Sequence, residues 1–217
     1  MARSAFFIDG FNLYHSINDL GKPYLKWTNY FRMCELIKDK DDEIALIFLA
    51  TAYYPDHSKK VRHERHVKAL INCGVTVELG HYVKEDASCN DCGRTWKKPT
   101  EKESDINVAL AVLDEAYRNS FDKAYVITAD TDQSATFKLM RKRFESKGII
   151  SVSPPGRAHS QHILQNSTGK VALTEDIIDR SVFPKLVSGP KGSATILRPF
   201  EYDPPEGWAH PDDRPKR

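Results

Sequence analysis

The sequence predicts an α/β sandwich, with helices on both faces of a mostly parallel central sheet. Short apolar runs such as residues 5–8 and 124–128 end abruptly in polar residues, which is typical of buried parallel strands. Between these runs lie segments whose apolar residues recur every three to four positions, the period of a helix. Strands that alternate with helices predict a parallel sheet, because each parallel pair needs a crossover connection.

The alternation of strands and helices can be followed along the chain. The predicted elements are a strand at 5–8, helices at 11–17 and 27–37, a strand at 44–53, a helix at 58–72, strands at 75–83 and 124–128, a helix closed by Gly148 and a last strand at 149–152. Thr100 and Glu103 have capping-box spacing, so we also expect a helix to begin near Glu101. Cys34 lies on the apolar stripe of its helix, which predicts a core residue.

Two segments fall outside this pattern. Residues 84–100 are polar and predict a loop inserted into the domain. Residues 188–217 are rich in proline, glycine and charge and predict a tail without its own core. We therefore expect one domain over residues 1–187, followed by this tail.

Composition limits the possible classes of protein. The 217 residues include 40% hydrophobic and 29% charged residues, a globular balance, and the net charge of +2 neither requires nor excludes a nucleic-acid partner. No apolar run approaches the roughly 18 residues of a membrane span, and the N-terminus lacks a signal-peptide pattern. We expect a cytoplasmic protein without a membrane partner, whose four cysteines are reduced thiols or part of a metal site rather than a disulfide framework.

Acidic residues stand where the predicted elements meet one edge of the sheet. Asp9 closes the first strand, Asp130 and Asp132 follow the strand at 124–128, and Asp105 lies in the first turn of a helix. Ligands of α/β sheets bind outside the carboxyl ends of the strands. Gathered carboxylates repel one another unless a cation lies among them, and oxygen ligands suit Mg²⁺ or Mn²⁺. Such a site predicts metal-assisted phosphodiester hydrolysis, with Asn12 as a hydrogen-bonding neighbour.

Each acid also has a purely structural interpretation. Asp9-Gly10 is common turn chemistry, Asp105 would favour the helix dipole, and Asp130 or Asp132 would cap a helix. The metal hypothesis depends on all four occurring together at the ends of successive strands.

Three motifs identify a family that the chain resembles. They are Phe-Ile-Asp9-Gly-Phe-Asn12-Leu, Glu101-Lys102-Glu-Ser-Asp105-Ile-Asn-Val-Ala and Val-Ile-Thr-Ala-Asp130-Thr-Asp132. In this order and spacing, over roughly residues 4–185, they closely resemble the NYN-domain proteins, a branch of the PIN-like nucleases. The resemblance implies a Rossmann-like fold and RNA cleavage with Mg²⁺ or Mn²⁺. It assigns the metal to the four aspartates, with Asn12 in support.

The resemblance also extends to neighbouring positions. Lys102 matches the basic residue before the central Asp, and Glu101 or Glu103 would join the acidic set. The family often has Gly or Ser before the first Asp of the third motif and an apolar residue after the second. Here Ala129 and Gln133 stand at those positions, which leaves metal geometry and substrate preference open.

The spacing Cys89-x-x-Cys92-Gly is that of half a zinc knuckle. A structural zinc needs four ligands, and the nearest candidates in sequence are His81, Cys73, Asp91 and the pair His63 and His66. A second copy of the chain would also complete the site, and that arrangement predicts a homodimer. The alternative is a reduced cysteine pair in a tight turn.

Basic and aromatic residues suggest where RNA would bind. Lys102 and Arg157 are predicted phosphate contacts near the acids. Trp96 beside Lys97 forms an aromatic platform with positive charge, which suits single strands. The basic helix faces, at 59–68 and 138–143, are more simply interpreted as solvated surfaces.

The leading hypothesis is therefore a metal-dependent ribonuclease of single-stranded RNA. A catalytically weak RNA-binding module is the second, although such a module has no need for four acids near phosphates. A phosphatase of the haloacid dehalogenase type needs Asp-x-Asp after the first strand, where this chain has Asp9-Gly-Phe. An interaction protein built around the cysteines is supported only by the half zinc motif.

Overall fold

The computed structural model describes residues 1–215, and its centre is a parallel six-stranded sheet. Its strands are β1 (Arg3–Asp9), β2 (Glu43–Thr51), β3 (Thr76–Leu79), β6 (Lys123–Ile127), β7 (Gly148–Ser153) and β8 (Gly169–Ala172). They lie in the order β3-β2-β1-β6-β7-β8. Two further pairs are antiparallel: β4 (His81–Ser88) with β5 (Thr95–Lys102), and β9 (Leu186–Val187) with β10 (Ile196–Leu197). The predicted fold class is confirmed.

Helices cover both faces of this sheet. They are α1 (Gly10–Asp19), α2 (Tyr30–Ile37), α3 (His57–Asn72), α4 (Ser104–Tyr117), α5 (Ser134–Arg143), α6 (Gln161–Leu164) and α7 (Glu175–Asp179). Buried side chains of α1, α2, α3 and α7 join one hydrophobic cluster, and those of α4, α5 and α6 join another. Cys34 is fully buried in the first cluster, so its predicted place in the core is confirmed. Among the residues described, no helix combines the length and apolar character needed to span a membrane.

Strand β1 lies between the two clusters because its side chains alternate across the sheet. Phe6 and Ile8 enter one cluster, whereas Ala5 and Phe7 enter the other. The ring of Phe6 stacks on Tyr125 of the neighbouring strand with centroids 4.6 Å apart. Because β1 is buried on both faces, its central side chains are apolar. The first polar side chain after this apolar run is that of Asp9 at the carboxyl end.

The prediction of a loop over residues 84–100 is wrong, because most of this segment forms the hairpin of β4 and β5. The strands pair in register from His81 opposite Lys102 to Ser88 opposite Thr95. Most of their side chains are exposed, so the sequence lacks the apolar alternation that identifies a half-buried strand. Cys89 and Cys92 lie in the turn that joins them.

The predicted start of the following helix is also wrong. Residues 100–102 belong to β5, and α4 begins at Ser104. Glu103 has a left-handed backbone with φ of 80°, and its side chain does not cap the helix. Glu101 caps instead, since its carboxylate accepts a hydrogen bond from the Ser104 amide at 3.1 Å. The hairpin is therefore joined directly to α4.

The segment after residue 187 packs on the domain rather than projecting from it. Tyr202 is buried in the first hydrophobic cluster, and Trp208 packs against the same cluster. The Trp208 ring N–H donates to Asp179 at 2.8 Å, and Arg62 of α3 pairs with Glu201 at 2.8 Å. This segment has few apolar residues and uses them in a core that it shares with the helices.

Candidate active site

Asp9 is held in place at the junction of β1 and α1. It is 2% exposed and caps α1, accepting the Asn12 backbone N–H at 3.0 Å. The Asn12 side-chain amide and the Thr128 hydroxyl both donate to its other carboxylate oxygen, the latter at 3.0 Å. The next residue must be glycine, because a Cβ on Gly10 would lie 2.6 Å from the Ala50 carbonyl oxygen of β2. Close approach of α1 to the sheet thus fixes the direction of the carboxylate.

Burial raises the pKa of Asp9 above its ordinary value. The hydrogen bonds from Asn12 and Thr128 oppose this shift, and the negative charge of Asp130 adds to it. Neutral donors compensate only part of the cost of burying a negative charge, and a nearby cation would stabilise the charged carboxylate further. The setting of Asp9 therefore favours a positively charged ligand.

Asp130 is connected to Asp9 through one hydroxyl group. The Asp130 backbone N–H donates to the Thr128 hydroxyl at 3.0 Å, and that hydroxyl donates to Asp9. This is possible because β1 and β6 are adjacent and parallel, with Ile8 opposite Ile127. The Asp130 carboxylate in turn accepts the Asp132 backbone N–H at 2.9 Å and caps the short 3₁₀ turn that follows. Thr128 had no predicted role; its place between a strand and an acidic pair was the available signal.

Asp105 joins the same edge through Gln133. The Gln133 side-chain amide donates to the Asp105 backbone carbonyl at 2.6 Å, and its oxygen accepts from the Thr136 hydroxyl at 3.0 Å. Among the described residues, the Asp105 carboxylate accepts one hydrogen bond, from its neighbour's backbone N–H, that of Ile106 at 2.8 Å. Gln133, which departs from the expected apolar residue, is 4% exposed and ties α4 to the turn that carries Asp130.

The carboxylates at this edge have no basic partner among the residues that the structure describes. Within residues 1–215, no Lys, Arg or His nitrogen lies within 4.0 Å of an acidic oxygen of Asp9, Asp105, Asp130 or Asp132. The same described residues contain no group of three or more Asp, Glu, His or Cys side chains arranged to hold a metal. The donor set is nevertheless all oxygen, and Mg²⁺ is commonly held by one or two carboxylates with water completing its shell. These residues fit a hydrated hard cation.

Comparison with known proteins identifies the family. The family model described as NYN domain matches residues 3–172. The chain belongs to the NYN domain family. The suspected family is thereby confirmed, and this family lies within the PIN-like nuclease superfamily. No curated protein matches this NYN domain in a sequence search.

One solved structure supports the fold of this NYN domain. The crystal structure of a protein of unknown function from Vibrio parahaemolyticus is 17% identical, with a TM-score of 0.53, over 81% of this chain and 94% of that one. That likeness concerns the fold alone. A hypothetical protein from Neisseria gonorrhoeae, crystallised with bound ppGpp, is 8% identical over 81% of this chain and 86% of its own, and its TM-score of 0.27 is too low to support an argument.

The predicted substrate contacts of this NYN domain are largely engaged elsewhere. Lys97 pairs with Asp86 at 2.7 Å and Lys102 pairs with Glu85 at 2.8 Å, both across the hairpin. Arg157 pairs with the last residue of α1 and donates to a serine hydroxyl of the same helix at 3.2 Å. Trp96 is 47% exposed on the hairpin. Three of the four residues thus already have an internal partner for their charge.

A cavity beside Asp9 was not predicted. It begins at Gly10 and Phe11, directly after the first acid, and encloses about 500 Å³. We call it the tyrosine cavity, after Tyr14, Tyr54, Tyr82 and Tyr202, which line it together with Lys26, Lys59, Lys98, Arg62, His63 and Glu101. These residues come from separate segments between Tyr14 and Tyr202, so no single motif indicates the cavity. The one local signal was Tyr54, which follows β2 at the same sheet edge as Asp9.

The cysteine pair lies in a tight turn of the hairpin. Gly93 has φ of 69°, and its N–H donates to the Cys89 carbonyl at 2.9 Å. Backbone N–H groups of Cys92 and then Asp91 lower the pKa of the Cys89 thiol. In the part of the chain that the structure describes, no third ligand joins the pair. His81, one predicted candidate, pairs with Glu103 instead, and zinc at this site stays a prediction.

Proposed function

We propose that this NYN domain is a metal-dependent ribonuclease that hydrolyses phosphodiester bonds of single-stranded RNA. The observation that carries the proposal is the set of four carboxylates at the carboxyl edge of the sheet, for which residues 1–215 supply no basic partner. An edge with this charge repels RNA unless a cation neutralises it. Membership of a family within the PIN-like nucleases supports the same reading.

The ion, Mg²⁺ or Mn²⁺, would be held by Asp9, Asp105, Asp130 and Asp132. When bound, such an ion lowers the pKa of a coordinated water and stabilises negative charge on a phosphate. The protein's own contribution is orientation. Asn12 and Thr128 fix the Asp9 carboxylate, and Gln133 fixes the start of α4 at Asp105.

A catalytically weak RNA-binding module is the second candidate. One observation favours it, namely that no three acidic side chains in residues 1–215 are arranged to hold a metal as they stand. The two candidates differ in one measurable property, which is metal-dependent bond cleavage.

The experiment uses end-labelled single-stranded RNA and single-stranded DNA, each with Mg²⁺, Mn²⁺ or EDTA. The variant Asp130→Asn removes one acid, and Asp114→Asn is its control, since Asp114 is an acid on the outer part of α4 that pairs with Arg118 at 2.8 Å. We expect cleavage of RNA with metal by the wild type and Asp114→Asn, and none with EDTA or by Asp130→Asn. Equal products from all three proteins, or none from the wild type, would reject the ribonuclease. Binding of RNA without cleavage would select the second candidate.

A further inference from the structure

The tyrosine cavity has the size and position of a ligand site. Its volume of about 500 Å³ lies within the range of roughly 300–1,000 Å³ that is usual for small-molecule sites. Gly10 and Phe11 form part of its wall together with Thr51 at the end of β2, so the cavity lies at the carboxyl edge of β1 and β2. Its other walls come from α3, the hairpin and the C-terminal segment. A ligand in this cavity would lie beside the acidic edge.

Positive charge in the cavity exceeds what the protein neutralises. Arg62 pairs with Glu201, but among residues 1–215 no carboxylate lies within ion-pair distance of Lys26, Lys59 or Lys98. Burial lowers the pKa of Lys26, and the neighbouring charges of Arg62 and Lys59 lower it further. An anion bound among these cations would reduce their mutual repulsion. Although Glu101 also lines the cavity, its three lysines favour a ligand that carries a negatively charged group.

Aromatic rings accompany these cations. Tyr54 meets Tyr82 edge to face with centroids 5.3 Å apart, and the Lys59 ammonium lies 4.8 Å from the centre of the Tyr54 ring. The Lys26 ammonium lies 5.4 Å from the centre of the Tyr14 ring, which also lines the cavity. Stacking rings beside positive charge suit a nucleobase that carries a phosphate, because every base has an aromatic face.

We propose that the tyrosine cavity binds one unstacked nucleotide, with the base among the tyrosines and the phosphate against Lys26, Lys59 and Lys98. The nucleotide is either part of an RNA strand or free in solution, and the recognition chemistry is the same. Only its placement next to a scissile phosphodiester rests on the proposed ribonuclease function. The site also includes Tyr202, which lies beyond the residues 3–172 matched by the family model. The C-terminal segment thus completes a wall that the matched region lacks.

Binding is tested without cleavage, in EDTA and with the Asp130→Asn variant as the parent protein. A fluorescent RNA of about eight nucleotides reports binding by anisotropy. Lys59→Gln and Lys26→Gln are made in that parent, and Lys60→Gln is the matched control, because Lys60 is the next residue of α3 and lies outside the cavity, 3.9 Å from Glu64. We expect the dissociation constant to rise about tenfold in the first two and to stay unchanged in the control. Equal affinity in all of them would overturn the proposal.

A second measurement locates the nucleotide in the Asp130→Asn parent without further substitutions. RNA that contains 4-thiouridine is photo-crosslinked, and the modified peptides are identified by mass spectrometry. Crosslinks to peptides with Tyr14, Tyr54 or Tyr82 support the site, whereas crosslinks confined to the basic face of α5 contradict it. Competition by uridine or adenosine monophosphate would show that free nucleotides occupy the cavity, and competition by oligonucleotides alone would assign it to a strand. Because no step requires hydrolysis, failure here leaves the ribonuclease proposal intact, and absence of cleavage leaves this one intact.

Discussion

The two ends of strands β1 and β6 present acids in opposite electrostatic settings. At the amino ends, Asp122 accepts the backbone N–H and the guanidinium of Arg3, each at 2.8 Å, and Lys123 pairs with Asp42 at 2.8 Å. At the carboxyl ends, Asp9 has only neutral donors. Within the described chain, carboxylates are thus neutralised where these strands begin, whereas Asp9, where β1 ends, has no cationic partner.

The pKa values follow this difference. Hydrogen bonds from the Arg3 side chain and backbone lower the pKa of Asp122 to about 2. Burial would raise the pKa of Asp42, but hydrogen bonds from Lys123 and Ser4 outweigh it, and the net shift is downward. For Asp9, burial is the largest effect and the net shift is upward. An acid that forms an ion pair with a neighbouring Lys or Arg stabilises the fold, whereas an acid without such a pair is available to a cationic ligand.

The largest expected contrast between the edges is catalytic. We expect Asp9→Asn to reduce the RNA cleavage rate by about 100-fold or more, because the charge that would hold the metal is lost. Its stability should fall by no more than about 1–2 kcal/mol, because the amide removes the cost of a buried charge but places an N–H where the carboxylate accepts from Asn12 and Thr128. Asp122→Asn should cleave within about twofold of the wild type, because it lies at the other edge. Initial rates with Mn²⁺ and thermal melting measure both variants, and comparable loss of activity in the two would break the contrast.

Glycines at the two edges give a second test. A Cβ at Gly10 would meet the Ala50 backbone oxygen at 2.6 Å, whereas one at Gly148 would meet the flexible Lys123 side chain at 3.3 Å. We expect Gly10→Ala to lower the free energy of unfolding by about 2 kcal/mol. Gly148→Ala should change it by less than about 0.5 kcal/mol. Urea denaturation measures both, and a Gly148→Ala cost equal to that of Gly10→Ala would disprove the close fit of α1.

Gln133 is expected to position Asp105 at the acidic edge. In Gln133→Leu the Asp105 carbonyl and the Thr136 hydroxyl lose their buried partner, which should cost about 1–2 kcal/mol. The cleavage rate should fall about tenfold while the KM for RNA stays similar, because Gln133 does not itself contact the substrate. Gln165→Leu, on an exposed turn, is the control. A variant that loses stability but keeps the full cleavage rate would reduce Gln133 to a packing role.

The smallest effect concerns acid stability at the amino edge. The pKa of Asp122 is about 2 in the folded protein against an ordinary value of 3.8, so its ion pair stabilises the fold fully above that ordinary value. The pair is partly exposed, which limits its contribution to about 1 kcal/mol. The difference in unfolding free energy between wild type and Asp122→Asn should therefore be constant near neutral pH and shrink as pH falls from about 4 towards 2. Urea denaturation across this range measures it, and a difference that grows on acidification would contradict the sign.

The strands and their terminal acids were predictable because both are local properties of the sequence. The apolar run before Asp9 and the one before Asp130 each end where the sheet ends. The β4–β5 hairpin was not predictable, since its exposed strands carry no apolar alternation. Thr100 and Glu103 have the spacing of a capping box but do not form one. Residues up to Lys102 pair in β5, and Glu103 takes a left-handed backbone where the strand ends.

The tyrosine cavity could not be predicted from the sequence for a different reason. Tyr14, Tyr82 and Tyr202 are far apart in sequence, and each one alone is an ordinary aromatic residue. The same holds for the link from Gln133 to Asp105, which depends on the placement of α4 against the turn after β6. Chemistry assembled from distant segments requires the fold before it can be recognised.

Direct binding of Mn²⁺, followed by electron paramagnetic resonance, tests the central claim that an unpaired acidic edge receives a cation. The wild type, Asp9→Asn and Asp122→Asn are titrated under identical conditions without RNA. We expect the wild type and Asp122→Asn to bind Mn²⁺ with equal affinity, and Asp9→Asn to bind it at least about tenfold more weakly. Equal affinity in all three proteins, or no binding by the wild type, would contradict the account.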